Sequence, residues 1–407
     1  MKIFIISNLF PPHYLGGYEL LCKNVCDELA ARGHELFVLT SDHKSSEESK
    51  AEQGIYPVER LLKLYAPFGQ PAGMNYLARY RTTKTNYSSA MSSLSKFSPD
   101  VVFVWSQLRL TLGAAYAAKD LGLEPIFTFN DDHICSYRAR TTNWSAKQMA
   151  KYFAVNLLAP KLTVGGLNLN RSTSISKSIK EDIEEQGVAI AKTRIIYQGI
   201  PLSDFPLKKE PGLLSKETTK LLYAGQLHEY KGVHTVIEAV AKLVKVGRKV
   251  ELTIAGSGNQ GYEQRLESLV RELQLSETVN FIGRVKREQM HSLYTDHHIF
   301  VFPSIWREPF GLTHLEAMAC GTTVVSTTNG GPGEFIEDMK NSLEFKSEDS
   351  GSLASKIELL LDDEGLSMKL ASSARNMVTE RFSMKRYVDD IETFLKDLSF
   401  TFERKAS

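Results

Sequence analysis

Residues 2–39 read KIFIISNLFPPHYLGGYELLCKNVCDELAARGHELFVL, and their apolar pattern determines the predicted fold. A short apolar run ends in a loop rich in proline and glycine. Apolar residues then recur at helical spacing until Gly33, and a second apolar run, Leu36 to Leu39, follows. A strand, a helix and a strand in this order predict a parallel sheet with a crossover helix.

The same alternation continues along the chain and is interrupted once. Apolar runs at 100–105 and 125–129 repeat it before residues 200–218, where prolines and charged residues cluster. Such a cluster is typical of a connection between domains. The alternation then resumes, with predicted strands from 220 to 326.

The chain is therefore predicted to be an α/β protein with two doubly wound, Rossmann-like domains. At 407 residues it is long for a single hydrophobic core. We predict the first domain over 1–200, the second over 201–385, and a last helix, 386–407, that returns to the first domain. Two such sheets would face a central cleft, where the carboxyl ends of their strands meet.

Composition excludes several classes of protein. A net charge of +1 argues against a nucleic-acid binder. The four cysteines lack the spacing of a zinc site or a disulfide framework, which favours a cytoplasmic location. The amino-terminal apolar run is too short for a signal peptide, and no uncharged apolar run reaches the roughly 18 residues of a spanning helix.

Basic residues are concentrated in two stretches, 60–99 and 133–180, that contain no carboxylate. Aromatic residues lie among them. Such a composition suits an anionic membrane surface or an anionic acceptor, but it is equally typical of a solvated basic face. On the first interpretation the protein would lie peripherally at the inner face of the membrane. The basic residues are Arg60, Lys63, Arg79, Arg81, Lys84, Lys96, Arg138, Arg140, Lys147, Lys151, Lys161, Arg171, Lys177 and Lys180.

The strongest functional signal is residues 302–321, FPSIWREPFGLTHLEAMACG. An apolar strand is followed by a loop and a short predicted helix. Main-chain amides near Leu312 and Thr313, at the start of that helix, could hold a diphosphate. Glu308 and Glu316 suit neutral hydroxyl groups on either side, although Glu316 could instead interact with the helix dipole alone.

This run resembles the Glu–seven residues–Glu signature of the retaining glycosyltransferases of family four, which have the GT-B fold. The resemblance covers nearly the whole chain, and the order of its motifs makes it specific. The other matching segments are 11–17, 174–176, 195–199, 225–232, 255–258, 283–285 and 330–334.

The resemblance implies a metal-independent enzyme without a cofactor. It would transfer a hexose from a nucleotide-diphosphate sugar, with UDP favoured, to a glycan or lipid-linked acceptor in polysaccharide biosynthesis. The first domain would be the acceptor side and the second the donor side. Glu308, Lys231 and Asn130 would act at the reacting groups. The implied donor-binding positions are Gly16, Gly17, Gln226, Arg284, Val285, Phe310, Gly311, Leu312, Thr313 and Glu316.

Two positions depart from the family pattern. Gln226 stands where an arginine is usual, so one cation of the phosphate clamp is missing. Asn130 stands where histidine is frequent, and an amide cannot shuttle a proton. These departures favour one alternative, a non-catalytic nucleotide-sugar binder. A second alternative is a nucleotide-sugar epimerase of similar two-domain form, although the pair Glu308 and Glu316 beside Lys231 argues against it. Asp131 and Asp132 are interpreted as loop residues rather than metal ligands.

Overall fold

The computed structural model describes residues 1–44, 55–68, 76–137, 145, 159–215 and 217–406, with side chains to residue 399. The chain divides into two compact units. The first comprises Met1–Tyr197 and Val388–Ser407, and the second comprises Gln198–Tyr387. Four basic residues singled out in the sequence lie outside the described residues: Arg138, Arg140, Lys147 and Lys151.

The first unit contains a seven-stranded sheet with the order β3-β2-β1-β4-β5-β6-β7. Every neighbouring pair is parallel. The order reverses at β1, as expected for a doubly wound sheet. The strands are Lys2–Ser7 (β1), Glu35–Ser41 (β2), Val58–Leu62 (β3), Val101–Val104 (β4), Ile126–Phe129 (β5), Ser172–Ser174 (β6) and Arg194–Ile195 (β7).

Helices connect these strands and cover the sheet. Leu21, Val25 and Leu29 of the first helix are buried, at the spacing that the sequence indicated. The helix stops before Gly33, whose φ of 85° suits glycine. The helices are Gly17–Ala31 (α1), Tyr76–Phe97 (α2), Gly113–Asp120 (α3) and Lys177–Glu185 (α4).

The second unit repeats the architecture with a six-stranded parallel sheet of order β10-β9-β8-β11-β12-β13. The prediction of two Rossmann-like α/β domains is thereby confirmed. The strands are Thr219–Ala224 (β8), Val250–Ala255 (β9), Val279–Gly283 (β10), Ile299–Phe302 (β11), Thr323–Ser326 (β12) and Leu343–Glu344 (β13). The helices are Val233–Lys245 (α5), Gln260–Glu272 (α6), Met290–Thr295 (α7), Leu312–Ala319 (α8), Ser350–Asp362 (α9) and Glu364–Arg381 (α10).

The last helix, α11, spans Met384–Ala406, and from residue 388 it belongs to the first unit. Glu392 fastens it there. Its carboxylate lies 2.8 Å from Nη1 of Arg32 and 3.1 Å from Nε2 of His34. Hydrogen bonds from Lys396, Arg32 and His34 lower the pKa of Glu392 to about 2, so the carboxylate is ionised at neutral pH.

All four cysteines, Cys22, Cys26, Cys135 and Cys320, are buried free thiols. Burial raises the pKa of Cys22 well above its ordinary value and that of Cys320 to about 12. These thiols act as small core residues rather than nucleophiles or metal ligands. No helix in the described part of the chain has both the length and the apolar content to cross a membrane.

Candidate functional site

Lys231 and Glu308 meet at the carboxyl edge of the second sheet. Nζ of Lys231 lies 2.6 Å from Oε1 of Glu308, and Oγ of Ser304 donates to the same oxygen at 2.5 Å. Their side chains are only 12% and 8% exposed. Lys231 comes from the turn between β8 and α5, and Glu308 from the loop after β11. The structure thus joins two predicted site residues that are 77 positions apart.

The contact depends on a close approach of two backbone segments. Gly232 follows Lys231 with a φ of 68°, and a Cβ there would lie 2.2 Å from the carbonyl oxygen of Pro303. The carbonyl of Tyr230 accepts hydrogen bonds from the amides of Ile305 and Trp306 at 2.9 and 3.1 Å. Only glycine allows the turn to pack this closely against the loop after β11.

Glu308 is also fixed from the opposite side, by the loop that follows β12. Its amide donates to the carbonyl of Asn329 at 3.0 Å, and its carbonyl accepts from the amide of Gly331 at 2.8 Å. Gly330 has a φ of 82°, and a Cβ there would lie 2.4 Å from the Glu308 carbonyl oxygen. The glycine-rich segment therefore determines where the Glu308 backbone lies.

Helix α8 begins directly after this loop. Gly311 precedes it with a φ of 123°, a conformation that disfavours other residues. Leu312 and Thr313 form its first, half-buried positions. The first turn of a helix presents amides without partners inside the helix and the positive end of its dipole. The Phe310 side chain is buried between Phe335 and Phe382, so only its main chain could contact a ligand.

His314, on the same helix, is a structural residue. It is fully buried, and its Nε2 lies 2.9 Å from Oγ of Ser326. Its ring centroid lies 4.3 Å from that of Phe302. Burial lowers the pKa of His314 to about 3, so the ring stays neutral at physiological pH. Its full burial and its contact with Ser326 indicate that the ring packs the helix against the sheet rather than transferring protons.

Glu316 is held by two residues that sequence reasoning missed. It is 2% exposed, and Tyr294 donates its hydroxyl to Oε2 at 2.9 Å. Arg287 forms an ion pair with Oε1 and stacks 4.8 Å from the ring centroid of Phe205. Both carboxylate oxygens are thus oriented. The sequence offered one indication of this contact: Arg287 lies three positions after Arg284, which was predicted to bind the donor.

The loops after β8, β9 and β10 pack backbone to backbone. Gly225 donates to the Ala255 carbonyl at 3.0 Å, and Gly256 donates to that of Gly283 at 2.7 Å. A Cβ on Gly256 would lie 1.8 Å from the Gly225 oxygen. Gln226 stands exposed in the first of these loops. Beyond β10, Arg284 is exposed and Val285 is half-buried.

Gly16, Gly17 and Asn130 belong to the first unit. Gly17 opens α1, and the Gly16 amide donates to Oε2 of Glu19 at 3.0 Å. Glu19 is fully buried, and that burial raises its pKa to about 7. Nδ2 of Asn130 donates to the Trp105 carbonyl at 3.0 Å. Both predicted segments thus follow carboxyl ends of strands, β1 for the glycines and β5 for Asn130.

Asp131 and Asp132 behave as turn residues. Oδ1 of Asp131 accepts from the His133 amide at 2.9 Å, and Oδ2 of Asp132 accepts from Gln186 at 2.7 Å. Burial raises the pKa of Asp131 to about 6. Among the residues with described positions, no group of three or more His, Cys, Asp or Glu side chains is arranged to hold a metal ion.

Comparisons with known proteins cover nearly the whole chain. The model described as Glycosyltransferase Family 4 matches residues 15–204, and that described as Glycosyl transferases group 1 matches 204–377. The sequence is 31% identical to N-acetyl-alpha-D-glucosaminyl L-malate synthase of Bacillus anthracis over 405 residues, 98% of each protein.

Two solved structures share the fold. Sucrose-phosphate synthase from Thermosynechococcus elongatus superposes with a TM-score of 0.73, at 20% identity and 98% coverage of both chains. Anabaena HepE in complex with UDP-glucose gives a TM-score of 0.72 at 20% identity, covering 98% of this chain and 100% of its own. At this identity the structural likeness concerns the fold alone.

Removing Lys231 should destabilise the second unit, because Glu308 would remain buried without its cation. We expect Lys231→Ala to lower the free energy of unfolding by about 3 kcal/mol. Adding Glu308→Gln to that variant should recover part of the loss, since no charge is then stranded. Urea unfolding followed by tryptophan fluorescence measures this, because Trp306 lies 4.9 Å from Nζ of Lys231.

The matched control is Lys245→Ala on α5, where the lysine is exposed. Its effect should stay within about 0.5 kcal/mol. Strictly additive losses in the Lys231→Ala/Glu308→Gln double variant would contradict a coupled pair.

Proposed function

We propose that this chain, which belongs to the family four glycosyltransferases, transfers a hexose from a nucleotide-diphosphate sugar to a glycan or lipid-linked acceptor with retention. The observation that carries the proposal is the convergence of Lys231, Glu308 and the start of α8 at one sheet edge. Lys231 and Glu308 are 2.6 Å apart. Glu316, from the same helix, adds a second oriented carboxylate.

The reaction separates charge, and the site is built to stabilise both parts. The bond between the anomeric carbon and the diphosphate oxygen breaks, and a bond forms from that carbon to the acceptor hydroxyl oxygen. The hydroxyl proton passes to the leaving diphosphate. Negative charge on the diphosphate would be stabilised by Lys231 and the amides of Leu312 and Thr313.

Glu308 would accept hydrogen bonds from hydroxyl groups of the transferred hexose. An isolated carboxylate beside a diphosphate would repel it. Here Lys231 contacts Glu308 directly, so the two charges offset each other before the donor arrives. The Ser304 hydroxyl donates a hydrogen bond to the same carboxylate oxygen and so limits the rotation of the Glu308 carboxylate.

Glu316 would hold the ribose diol of the nucleotide. Tyr294 donates one hydrogen bond to Oε2 of Glu316, and Arg287 donates one to Oε1. Each carboxylate oxygen has a further lone pair, so a diol can still donate to both. Arg287 and Tyr294 would therefore act as positioning residues that hold the Glu316 carboxylate aimed at the ligand.

We favour a UDP-hexose as the donor and polysaccharide biosynthesis as the role of the enzyme. HepE, which shares the fold, was crystallised with UDP-glucose, and this supports a nucleotide-sugar partner here. The base would lie against the main chain at Arg284 and Val285, beyond β10. Gly16, Gly17 and Asn130, in the first unit, are the remaining candidates for binding substrate groups.

Lys231→Ala and Glu316→Ala should each lower kcat/KM for transfer about 100-fold or more, because each removes a charge that acts on the bound donor. UDP release from UDP-glucose in the presence of acceptor measures the rate. Lys245→Ala serves as the control with an exposed lysine. Full activity in either site variant would reject the site assignment.

The same assay separates the two alternatives. An epimerase would interconvert UDP-sugars without an acceptor. A non-catalytic binder would be thermally stabilised by a UDP-sugar, yet it would release no UDP.

We further propose that transfer needs no divalent metal, because Lys231 and the α8 amides supply the positive charge at the diphosphate. Activity measured after extensive dialysis against EDTA should match that of untreated enzyme. Loss of activity that is restored by added Mn²⁺ or Mg²⁺ would contradict this.

We also propose peripheral contact with an anionic membrane, through helix α2. Leu77 and Tyr80 on this helix are 58% and 42% exposed, and Lys84 is exposed beside them. A cavity of about 400 Å³, lined by Tyr80, Lys84, Tyr87 and Lys161, opens at the same place. Aromatic rings with lysines suit the interface of a bilayer.

Sedimentation with vesicles of phosphatidylcholine and phosphatidylserine tests this contact. The combined variant Leu77→Ser, Tyr80→Ser and Lys84→Gln should bind the anionic vesicles several-fold more weakly, because it removes apolar area and charge together. Equal sedimentation of the variant and the wild type would favour a solvated basic face.

A further inference from the structure

We propose that the acceptor carries a carboxylate or phosphate group and that Arg79 and Arg109 of the first unit bind it. This inference rests on the proposed transferase function and names the chemical class of its acceptor. It concerns the loops after β4 and β5 and the start of α2. Ligands of doubly wound sheets bind at the carboxyl ends of the strands, where these loops lie.

Arg79 is a cation held by aromatic rings rather than by acids. Its Cζ lies 4.5 Å from the ring centroid of Tyr65 and 5.6 Å from that of Tyr137. Nη2 donates to the Tyr65 hydroxyl at 3.1 Å, and Nη1 donates to the Ser136 carbonyl at 3.4 Å. Nε has no partner, and no carboxylate in the described ranges forms an ion pair with Arg79.

Arg109 repeats this arrangement from the loop after β4. Its Cζ lies 4.8 Å from the ring centroid of Phe68, and Nη1 donates to the carbonyls of Ala66 and Pro67. As with Arg79, no acid among the residues whose placement is described forms an ion pair with Arg109. Both guanidinium groups therefore keep donors and an uncompensated charge for a ligand.

Tyr65 joins the two arginines into one cluster. Its ring stacks on Arg79, and its amide donates to the Arg109 carbonyl at 3.0 Å. The loop is strained here, because Arg109 and Thr111 have φ values of 62° and 67°. Non-glycine residues adopt such angles only where their surroundings impose them, and such residues cluster at ligand sites.

The charges of Arg79 and Arg109 both act on the neighbouring His133. His133 lies with its ring centroid 5.5 Å from that of Tyr137. Burial, and after it Arg79 and Arg109, lower the pKa of His133 to about 4, against the opposing effect of Asp132. Asp132 itself is engaged by Gln186.

An anion supplies the charge that this cluster lacks. The planar guanidinium fork matches the paired oxygens of a carboxylate or a phosphate, and a neutral hydroxyl group offers no such match. The second unit differs, because its Lys231 and Arg287 are each already paired with a glutamate. Of the basic residues that the sequence singled out, the structure selects Arg79 for this site, together with Arg109.

Acceptor competition with the wild-type enzyme tests the proposal directly. Donor turnover is first established with UDP-glucose, and transfer is then measured to glucose 6-phosphate, malate and glucose. We expect KM for at least one anionic acceptor to lie about tenfold or more below that for glucose. The phosphate and the hydroxy acid distinguish the two kinds of anion.

Arg79→Gln and Arg109→Gln should each raise KM for the preferred anion about tenfold or more. KM for UDP-glucose and its slow hydrolysis should not change. Arg79→Lys keeps the charge without the fork and should fall between Arg79→Gln and the wild type. The control is Arg81→Gln, an exposed arginine on the same helix, which should match the wild type.

Equal KM values for glucose and both anions, or unchanged KM in both arginine-to-glutamine variants, would overturn the anionic acceptor. Absence of any UDP-glucose binding or hydrolysis by the wild type would instead count against the proposed function. Thermal unfolding identifies a variant that fails to fold. In that case the anionic acceptor is tested by the wild-type enzyme alone, through its KM values for glucose 6-phosphate and malate relative to that for glucose.

Discussion

The ion pair between Lys231 and Glu308 is the constraint around which the second unit is organised. Both side chains are nearly buried, and an unpaired charge in either place would be costly. The pair forms because the backbone at Gly232 and the backbone at Gly330 both pack directly against the loop after β11, where a Cβ atom at either glycine would clash. The geometry that satisfies two buried charges is therefore the geometry that gathers the site at the start of α8.

Glu316, one turn into α8, is likewise a buried carboxylate paired with a cation. Its carboxylate is buried and meets Arg287 and Tyr294, so its charge is compensated and its direction is set. Each glutamate of the signature thus has its own cation. The first turn of α8 adds its own positive potential to that of Lys231, and both would act on the proposed diphosphate.

The candidate sites of the two units hold their cations in different ways. In the second unit, Lys231 and Arg287 are neutralised by glutamates before any ligand binds. In the first, Arg79 and Arg109 rest on aromatic rings and main-chain carbonyls. A preorganised cation without a counter-ion favours an anionic partner, whereas a paired one favours a ligand that brings hydroxyl groups as well.

The alternation of apolar strands and helices is local, so the sequence was sufficient to predict both sheets and the glycine loops at their edges. Glu308 and Lys231 could be found because each lies in a motif with its own spacing. The contact of Arg287 with Glu316, the neutrality of His314 and the selection of Arg79 among many basic residues could not be found in this way. They depend on which strands become neighbours and how deeply a side chain is buried, and these are properties of packing rather than of sequence spacing.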